Sequence, residues 1–382
     1  MADTAARLRA DPATAGVRWY RGFQEFICSN PSFAGIAKML GGRDALALNP
    51  TDLFRLHHRA ITTLHQGLND GLLAAFAKLV DVFAGTAFPG VSADPTQAGG
   101  TKDIGQSLED MRHQGFTRLP TVDAERVTAF QHWFNEGGYI PAEDVRKPMG
   151  SVETRSAEIL RHSLNLAYVP RDRVLQAPGL FDIATDLSVL KLVRAYLGAP
   201  PVLIDISAWR SFAGEGGAKD ARDAQLLHYD LDDYRFVKFF VYLTDVDECS
   251  GPHVFFPRTH RLETIANSMP DGDPEREAFQ QWYFGTLRKS DEEARDRLGI
   301  EPVSLTGSPG TSLLVDTSGL HRGEPPSTRD RIVLQFVYGI TPFAGWDDPF
   351  EIDGPRGLSG GPAPRLTGER AYAAHVICPW TA

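Results

Sequence analysis

The sequence predicts a mainly β protein with helices, of the α+β class, in which an antiparallel β-sandwich or barrel follows a helical N-terminal extension. From Val202 onward, strand-length segments rich in β-branched and aromatic residues alternate with turns marked by Gly, Pro and Asp. Apart from one insertion, no helical segment separates these strands, which is typical of antiparallel sheets. Before residue 105, apolar residues recur instead at helical spacing.

The N-terminal region is predicted to be helical. Between Asp52 and Phe83 the apolar residues keep to one helical face, and Asn49-Pro50-Thr51 provides a start signal. The segment from Phe88 to Ser107 is rich in Pro, Gly and small polar residues, so it is the candidate linker. We therefore divide the chain near residue 105 into a helical extension, residues 1–105, and a second domain, residues 106–382.

The second domain is predicted to begin with a short strand at 115–120. A helix at 121–137 follows, capped by Thr121 or Asp123, and another helix is expected at 184–197. Six further segments have the length and composition of strands: 202–213, 224–230, 236–246, 253–257, 311–316 and 331–340.

A charged insertion at 262–298 interrupts this series of strands and is predicted to be helical. It carries the aromatic cluster Trp282-Tyr283-Phe284. Insertions between the strands of a barrel often form the rim of a site, because loops carry function on a rigid scaffold.

The composition is that of an ordinary globular protein, with 382 residues, 42% of them hydrophobic and 23% charged. A net charge of −10 argues against a nucleic-acid partner, since such binding depends on clustered cations. The most apolar early stretch, residues 71–85, carries Lys78 and Asp81 and is shorter than the ~20 residues of a membrane helix. Three cysteines lie far apart, without metal-site spacing: Cys28, Cys249 and Cys378. We expect a soluble cytoplasmic protein without a membrane partner; its oligomeric state stays open.

The segment AQLLHYDLDD contains the first chemically informative motif. If it is a strand, its period of two places Leu226, His228 and Asp230 on one face, so that an imidazole and a carboxylate point the same way. This arrangement can hold a metal ion. Alone it is a weak signal, because a chain with 11 histidines and many aspartates contains such a motif by chance. A structural or surface pair is the alternative.

Two later residues strengthen the metal hypothesis. His321 follows a predicted strand and turn bounded by Gly310 and Gly319, and Arg331 opens an apolar strand ten residues further on. Two imidazoles and one carboxylate form a facial triad, which fills three positions on Fe(II) and leaves three open. A guanidinium in a barrel wall can bind a carboxylate through two hydrogen bonds. The pattern indicates an iron site beside an anchor for a dicarboxylic co-substrate.

These motifs resemble the phytanoyl-CoA dioxygenase family of Fe(II)- and 2-oxoglutarate-dependent oxygenases. The resemblance runs from about residue 115 to residue 340. It rests on HYD at 228–230, VYLTDVDECSGPHVFFPRTHR at 241–261 and DTSGLHRGEPPSTRDRIVLQFVYG at 316–339. It implies a double-stranded β-helix, or cupin-like jelly-roll, core backed by helices, which agrees with the strands predicted above.

The resemblance also implies roles for individual residues. Three are expected to bind the iron and to be catalytic: His228, Asp230 and His321. Arg331 is expected to bind the C5 carboxylate of 2-oxoglutarate, and Gln225 and Tyr242 stand where relatives often contact the co-substrate. Relatives often carry Ser two residues after the distal histidine. This chain has Gly323 there, so the polar part of the anchor is unassigned.

The reaction that the resemblance implies is the oxidation of a C–H bond of a small-molecule metabolite by O2, with release of succinate and CO2. Hydroxylation is favoured, while desaturation or rearrangement would use the same residues. Two alternatives stay open: a non-catalytic jelly-roll module for metal binding or interaction, and a cupin-type metalloenzyme that does not use 2-oxoglutarate. An oxygenase consumes 2-oxoglutarate in an iron-dependent way, whereas a non-catalytic module need not. Unchanged co-substrate affinity in Arg331→Ala would favour the cupin-type metalloenzyme.

Strand alternation suggests two further residues for the site. On the predicted strand 202–213, Trp209 shares a polar face with Ser207 and Ser211, so it is a candidate substrate contact; an indole packed in the core is the alternative. Lys238 shares a face with Phe240. It could meet an anionic substrate, but we favour a surface lysine whose stem covers apolar surface.

Overall fold

The protein is described by a computed structural model, which covers residues 15–88, 90–91, 103–145, 147, 151–214, 221, 223–342, 366–375 and 377. Its helices are α1 Ala15–Cys28, α2 Ala34–Met39, α3 Pro50–Gln66, α4 Asp70–Ala87, α5 Asp103–Gln114, α6 Ala124–Gly137, α7 Ala157–Leu160, α8 Arg171–Leu175, α9 Leu180–Ala184, α10 Leu187–Leu197, α11 Leu262–Asn267, α12 Asp273–Gln280, α13 Asp291–Leu298 and α14 Gly368–Ala374. Its strands are β1 Phe116–Leu119, β2 Leu166–Tyr168, β3 Val202–Ser211, β4 Phe236–Tyr242, β5 His253–Phe255, β6 Val303–Leu305, β7 Ser312–Val315, β8 His321–Gly323 and β9 Arg331–Gly339.

The described strands form two antiparallel sheets. The larger has six strands in the order β1-β7-β4-β9-β3-β2, and the smaller has three in the order β6-β5-β8. In the larger sheet β9 lies between β3 and β4, and Ser211 at the end of β3 pairs with Arg331 at the start of β9. The mixed helical and antiparallel fold class is thereby confirmed.

The helical predictions are confirmed, with shifted ends. The predicted N-terminal helix is two helices, α3 and α4, and each begins at an asparagine whose side chain accepts a backbone N–H: Asn49 from Asp52 and Asn69 from Leu72. Asp123 caps α6 by accepting from the N–H of Arg126. The insertion at 262–298 contains α11, α12 and α13. Most of the predicted linker lies outside the described residues.

One predicted strand is wrong, and three were missed. Residues 224–230 do not form a strand: Asp223–Gln225 is a single 3₁₀ turn, after which Leu227 and His228 each make an isolated bridge. Their partners, Lys289 and His321, belong to different segments, so no continuous ladder forms. The missed strands β2, β6 and β8 have three residues each, too short for alternation to be visible in the sequence.

The helical extension and the sheet domain share one hydrophobic core. Phe76 of α4 stacks on Tyr234, with ring centroids 3.9 Å apart, and the Tyr234 hydroxyl lies 2.9 Å from Nδ1 of His57 in α3. The hydroxyls of Tyr20 and Thr341 are hydrogen-bonded at 2.9 Å. Among the described residues, no helix is long and apolar enough to cross a bilayer.

We expect the substitution Phe76→Ala to lower the free energy of unfolding by about 3–5 kcal/mol, the usual cost of removing a buried aromatic side chain. Phe76 is 1% exposed, and it packs on Tyr234, which is 0% exposed. Chemical denaturation followed by circular dichroism measures the change. The exposed Val82 on the same helix provides the control, because Val82→Ala removes apolar atoms without opening a cavity. Equal stability of the two variants would show that the extension does not stabilise the sheet domain through this contact.

Candidate metal centre

Two histidines come together through reciprocal backbone hydrogen bonds. The N–H of His228 donates to the carbonyl of His321 at 3.0 Å, and the N–H of His321 donates back at 2.7 Å. The N–H of Asp230 donates to the carbonyl of Thr317, in the turn before β8, at 2.9 Å. Residues paired in this way project their side chains to the same side. The local backbone thus places two imidazoles and a carboxylate around one point.

The ligand atoms of His228, Asp230 and His321 all lie within 4.8 Å of one another, and no other such group of three His, Cys or acidic residues occurs in the described ranges. Nε2 of His228 is 3.6 Å from Oδ1 of Asp230, and Nε2 of His321 is 3.2 Å from Oδ2. The structure therefore brings together the three predicted ligands. His57, His58 and His65, all on α3, form no such group.

Backbone carbonyls fix the tautomers of both histidines. Nδ1 of His228 lies 2.7 Å from the carbonyl of Leu226, and Nδ1 of His321 lies 2.9 Å from that of Gly319. Since a carbonyl can only accept, each Nδ1 carries a proton, which leaves Nε2 as the metal-binding nitrogen of each ring. Burial lowers the pKa of His228 to about 3, so its ring is neutral at physiological pH. The donor set suits a divalent transition metal.

Lys238 is not the surface residue that we favoured from the sequence. Its side chain is only 13% exposed, and its Nζ lies 2.7 Å from Oδ2 of Asp230 and 2.9 Å from Oδ2 of Asp232. Burial disfavours the ammonium, but the two carboxylates outweigh it and raise the pKa of Lys238 above its usual value. Burial raises the pKa of Asp230, but the nearby ammonium of Lys238 outweighs it, so this pKa lies well below its usual value. Lys238 therefore forms a charged cluster with Asp230 and Asp232 next to the candidate metal position.

The guanidinium of Arg331 is buried in the wall of the same cavity. Nη1 donates to the carbonyl of Gly251, and Nη2 donates to the hydroxyl of Ser211 at 3.3 Å. Its Nε has no hydrogen-bond partner among the described residues. A Cβ on Gly323 would stand 3.2 Å from Nη2, so the glycine leaves space for the guanidinium. Ser211, on the facing strand, supplies the hydroxyl that Gly323 lacks.

The remaining predicted residues also line this cavity, whose volume is about 620 Å³. Gln225 is buried and accepts a hydrogen bond from Asn165 at 2.9 Å. The hydroxyl of Tyr242 donates to the carbonyl of Leu305 at 2.6 Å and accepts the N–H of His253, so its ring rather than its hydroxyl faces the cavity. Trp209 is half-buried and forms part of the wall.

Several residues of the cavity wall were not assigned from the sequence, among them Asp232, His253 and Arg288. Ser211 shares the face of Trp209, but its contact with Arg331 follows from the β3–β9 register, which has no local sequence signal. His253 packs on the ring of His321 with centroids 5.2 Å apart, and its Nε2 has no hydrogen-bond partner among the described residues. Arg288 lies in the insertion, whose position relative to the strands could not be read from the sequence.

Two imidazoles, a carboxylate and a nearby buried arginine on an antiparallel scaffold define the class of non-haem iron oxygenases. Residues 111–333 match the family model for phytanoyl-CoA dioxygenase (PhyH). This is more than half of the chain, so the protein belongs to the phytanoyl-CoA dioxygenase family. It is a 2-oxoglutarate-dependent non-haem iron dioxygenase, with Fe(II) as its metal and 2-oxoglutarate as its co-substrate. The oxygenase hypothesis is confirmed over the two alternatives.

Solved structures that match part of this chain include three proteins of 18% identity. EctD from S. alaskensis with bound Fe has a TM-score of 0.43, over 67% of this chain and 87% of that chain. HygX from Streptomyces hygroscopicus, with nickel, 2-oxoglutarate and hygromycin B bound, has a TM-score of 0.41 over 65% and 90%. The epimerase SnoN, in complex with Fe3+, alpha ketoglutarate and nogalamycin RO, has a TM-score of 0.40 over 62% and 82%. No curated protein sequence matches this chain.

Proposed function

We propose that His228, Asp230 and His321 hold the catalytic iron, and that the protein hydroxylates a C–H bond of a small molecule. The observation that carries this proposal is the convergence of the three ligand atoms within 4.8 Å, with Nε2 of both histidines directed at the carboxylate of Asp230. Bound Fe(II) and 2-oxoglutarate supply an oxidation in which one oxygen atom of O2 enters succinate, with loss of CO2, and the other enters the substrate. The chain's own part is to position these groups.

We propose that Arg331 binds the C5 carboxylate of 2-oxoglutarate. The guanidinium lies in the cavity wall, and no carboxylate side chain among the described residues pairs with it. Its N–H groups can therefore bind a carboxylate of 2-oxoglutarate. Ser211 takes the place of the hydroxyl that relatives have at the position of Gly323. Gln225 and the ring of Tyr242 complete this end of the cavity, and Trp209 and Phe240 exclude water beside it.

The architecture and location that fit this activity are also proposals. The two antiparallel sheets support a double-stranded β-helix core. A boundary near residue 105 divides the chain into the helical extension and this core, and the shared hydrophobic cluster supports a bracing role for the extension. The free thiols of Cys28 and Cys249 fit the reducing environment of the cytoplasm.

An anaerobic titration tests the proposed function directly. The metal-free protein is titrated with Fe(II) and then with 2-oxoglutarate, and the weak visible charge-transfer band of a chelated co-substrate is recorded. We expect the band to appear at stoichiometric iron. A protein that binds iron and shows no band on addition of 2-oxoglutarate would contradict the proposed site.

The substitution Arg331→Gln is expected to weaken 2-oxoglutarate binding on the order of 10-fold to 100-fold, because it removes a buried, charge-assisted pair of hydrogen bonds. Iron affinity should stay at the parental level. The visible band gives the dissociation constant. Arg329→Gln is the matched control, since Arg329 lies two residues earlier with its side chain 51% exposed and pairs with Asp245 and Asp247. Parental affinity in Arg331→Gln would remove this residue from the co-substrate site.

A further inference from the structure

A cation of the insertion, Arg288, lines the cavity together with Arg171, Lys238 and Arg331. Arg288 lies just after the π-helical turn Gln281–Gly285 of the insertion, next to Leu287, which is 66% exposed. Nη1 of Arg288 is buried and has no hydrogen-bond partner among the described residues. A buried N–H without a partner is costly, so such a group in a cavity wall indicates a position for an acceptor.

The backbone around Arg288 is fixed relative to both iron histidines. The next residue, Lys289, donates its N–H to the carbonyl of Leu227, which precedes His228, at 2.9 Å. Shortly after, Asp291 accepts two hydrogen bonds from Arg322, which follows His321, through Nε at 3.0 Å and Nη2 at 2.9 Å. Tyr229 stacks on Tyr283 of the insertion with ring centroids 5.3 Å apart. The backbone that carries Arg288 is therefore held at a set place beside the metal centre.

The side chain of Lys289 does not bind a ligand in the cavity, because its ammonium makes other contacts. Its side chain is 5% exposed, its Nζ donates to the carbonyl of Thr286 at 2.6 Å, and it lies 5.1 Å from the centroid of the Tyr229 ring. Lys289 is thus committed to the aromatic cluster of the insertion, while Arg288, its neighbour, lines the cavity.

The charges that line the cavity do not balance. Among the described residues its wall has four cationic side chains and three carboxylates: Arg171, Lys238, Arg288 and Arg331 against Asp205, Asp230 and Asp232. Nη2 of Arg171 forms an ion pair with Asp205 at 3.3 Å, although its Nε and Nη2 make no hydrogen bond among the described residues, and Lys238 pairs with both other carboxylates. The two positive charges of Fe(II) cancel the two negative charges of 2-oxoglutarate. Arg331 is assigned to binding 2-oxoglutarate. The remaining positive charge is that of Arg288.

We propose that Arg288 binds a carboxylate of the substrate, and that the substrate is a small monoanion that presents a C–H bond to the iron. This inference rests on the proposed function, because it takes Asp230 as a ligand of the iron and Arg331 as the binding residue of 2-oxoglutarate. It explains how a chain with a net charge of −10 accepts an anion. A coenzyme A ester, with several negative charges, fits a single excess cation poorly.

The test uses matched pairs of probes, each a short monocarboxylic acid and its primary amide. They are added to the full-length protein loaded anaerobically with Fe(II) and 2-oxoglutarate, and the shift of the visible band reports binding beside the iron. We expect acids to bind at least ten-fold more tightly than their amides, and Arg288→Gln to abolish the difference. Arg297→Gln is the control, since Arg297 is an exposed cation of the same insertion that packs on Trp282 and does not line the cavity.

Two results would overturn the proposal: amides that bind as well as their acids in the parent protein, or a preference for acids that survives in Arg288→Gln. Absence of the visible band before any probe is added is a different failure, which contradicts the proposed function itself. Because Arg288 makes no described ion pair, Arg288→Gln should keep the parental melting temperature. A loss of the band in this variant would show that Arg288 acts on the co-substrate and not on the substrate.

Discussion

The substitution His321→Ala is expected to abolish iron binding and, with it, the iron-dependent consumption of 2-oxoglutarate. His321 supplies one of only three ligand atoms at the site, and its Nε2 is kept available by the hydrogen bond from Nδ1 to Gly319. Loss of a partner outside the coordination sphere already weakens metal binding 10-fold to 100-fold. Loss of a ligand should therefore weaken it by more than about 100-fold.

The measurement is the dissociation constant for Fe(II) under anaerobic conditions, with a thermal melt to confirm that the variant is folded. His132→Ala provides the control, because His132 is an exposed histidine of α6 that pairs with Glu136 and lies apart from the site. Parental iron affinity in His321→Ala would show that the metal is held elsewhere. Unchanged iron affinity with lost turnover would assign His321 to a later step.

The triad was predictable from the sequence because its signal is one of residue type and order. The prediction of the three ligands does not depend on the strand boundaries, since it rests on the residue types and order of His228, Asp230 and His321. Arg331 follows His321 by ten residues and opens an apolar strand. The local structure was less predictable: the segment at 224–230 alternates like a strand, yet it pairs with two different segments and forms only isolated bridges. Alternation reports which face a residue occupies and not which partner lies opposite.

Lys238 illustrates this limit best. Its alternation with Phe240 was read correctly as a shared face, but the prediction that it lies at the surface was wrong. The ammonium of Lys238 is stable at this place because the chain at Asp230 and Asp232 brings two carboxylates next to β4. A buried charge depends on partners distant in sequence, so a single strand pattern cannot distinguish it from an exposed one.

The substitution Lys238→Met is expected to destabilise the metal-free protein by about 3–5 kcal/mol, the usual cost of leaving a buried charge without its partner. Methionine keeps most of the volume, whereas Asp230 and Asp232 lose the ammonium that lies within 3 Å of both. Denaturant unfolding in the presence of a chelator measures the loss. We expect added Fe(II) to recover part of it, since a divalent cation restores positive charge beside Asp230.

The pH dependence of this variant separates charge from packing. Without the ammonium, the pKa values of the two buried carboxyls rise above their unfolded values, so the folded state binds protons more tightly than the unfolded state. The stability that Lys238→Met loses relative to the parent should then grow as the pH rises above about 4, the unfolded pKa of an aspartate. Adding Asp232→Asn removes one of the unpaired charges. The double variant should therefore be more stable than Lys238→Met alone, and its stability should depend less on pH. If the second substitution brings no recovery, the loss in Lys238→Met arises from packing, and the ammonium does not stabilise the carboxylate that faces the iron.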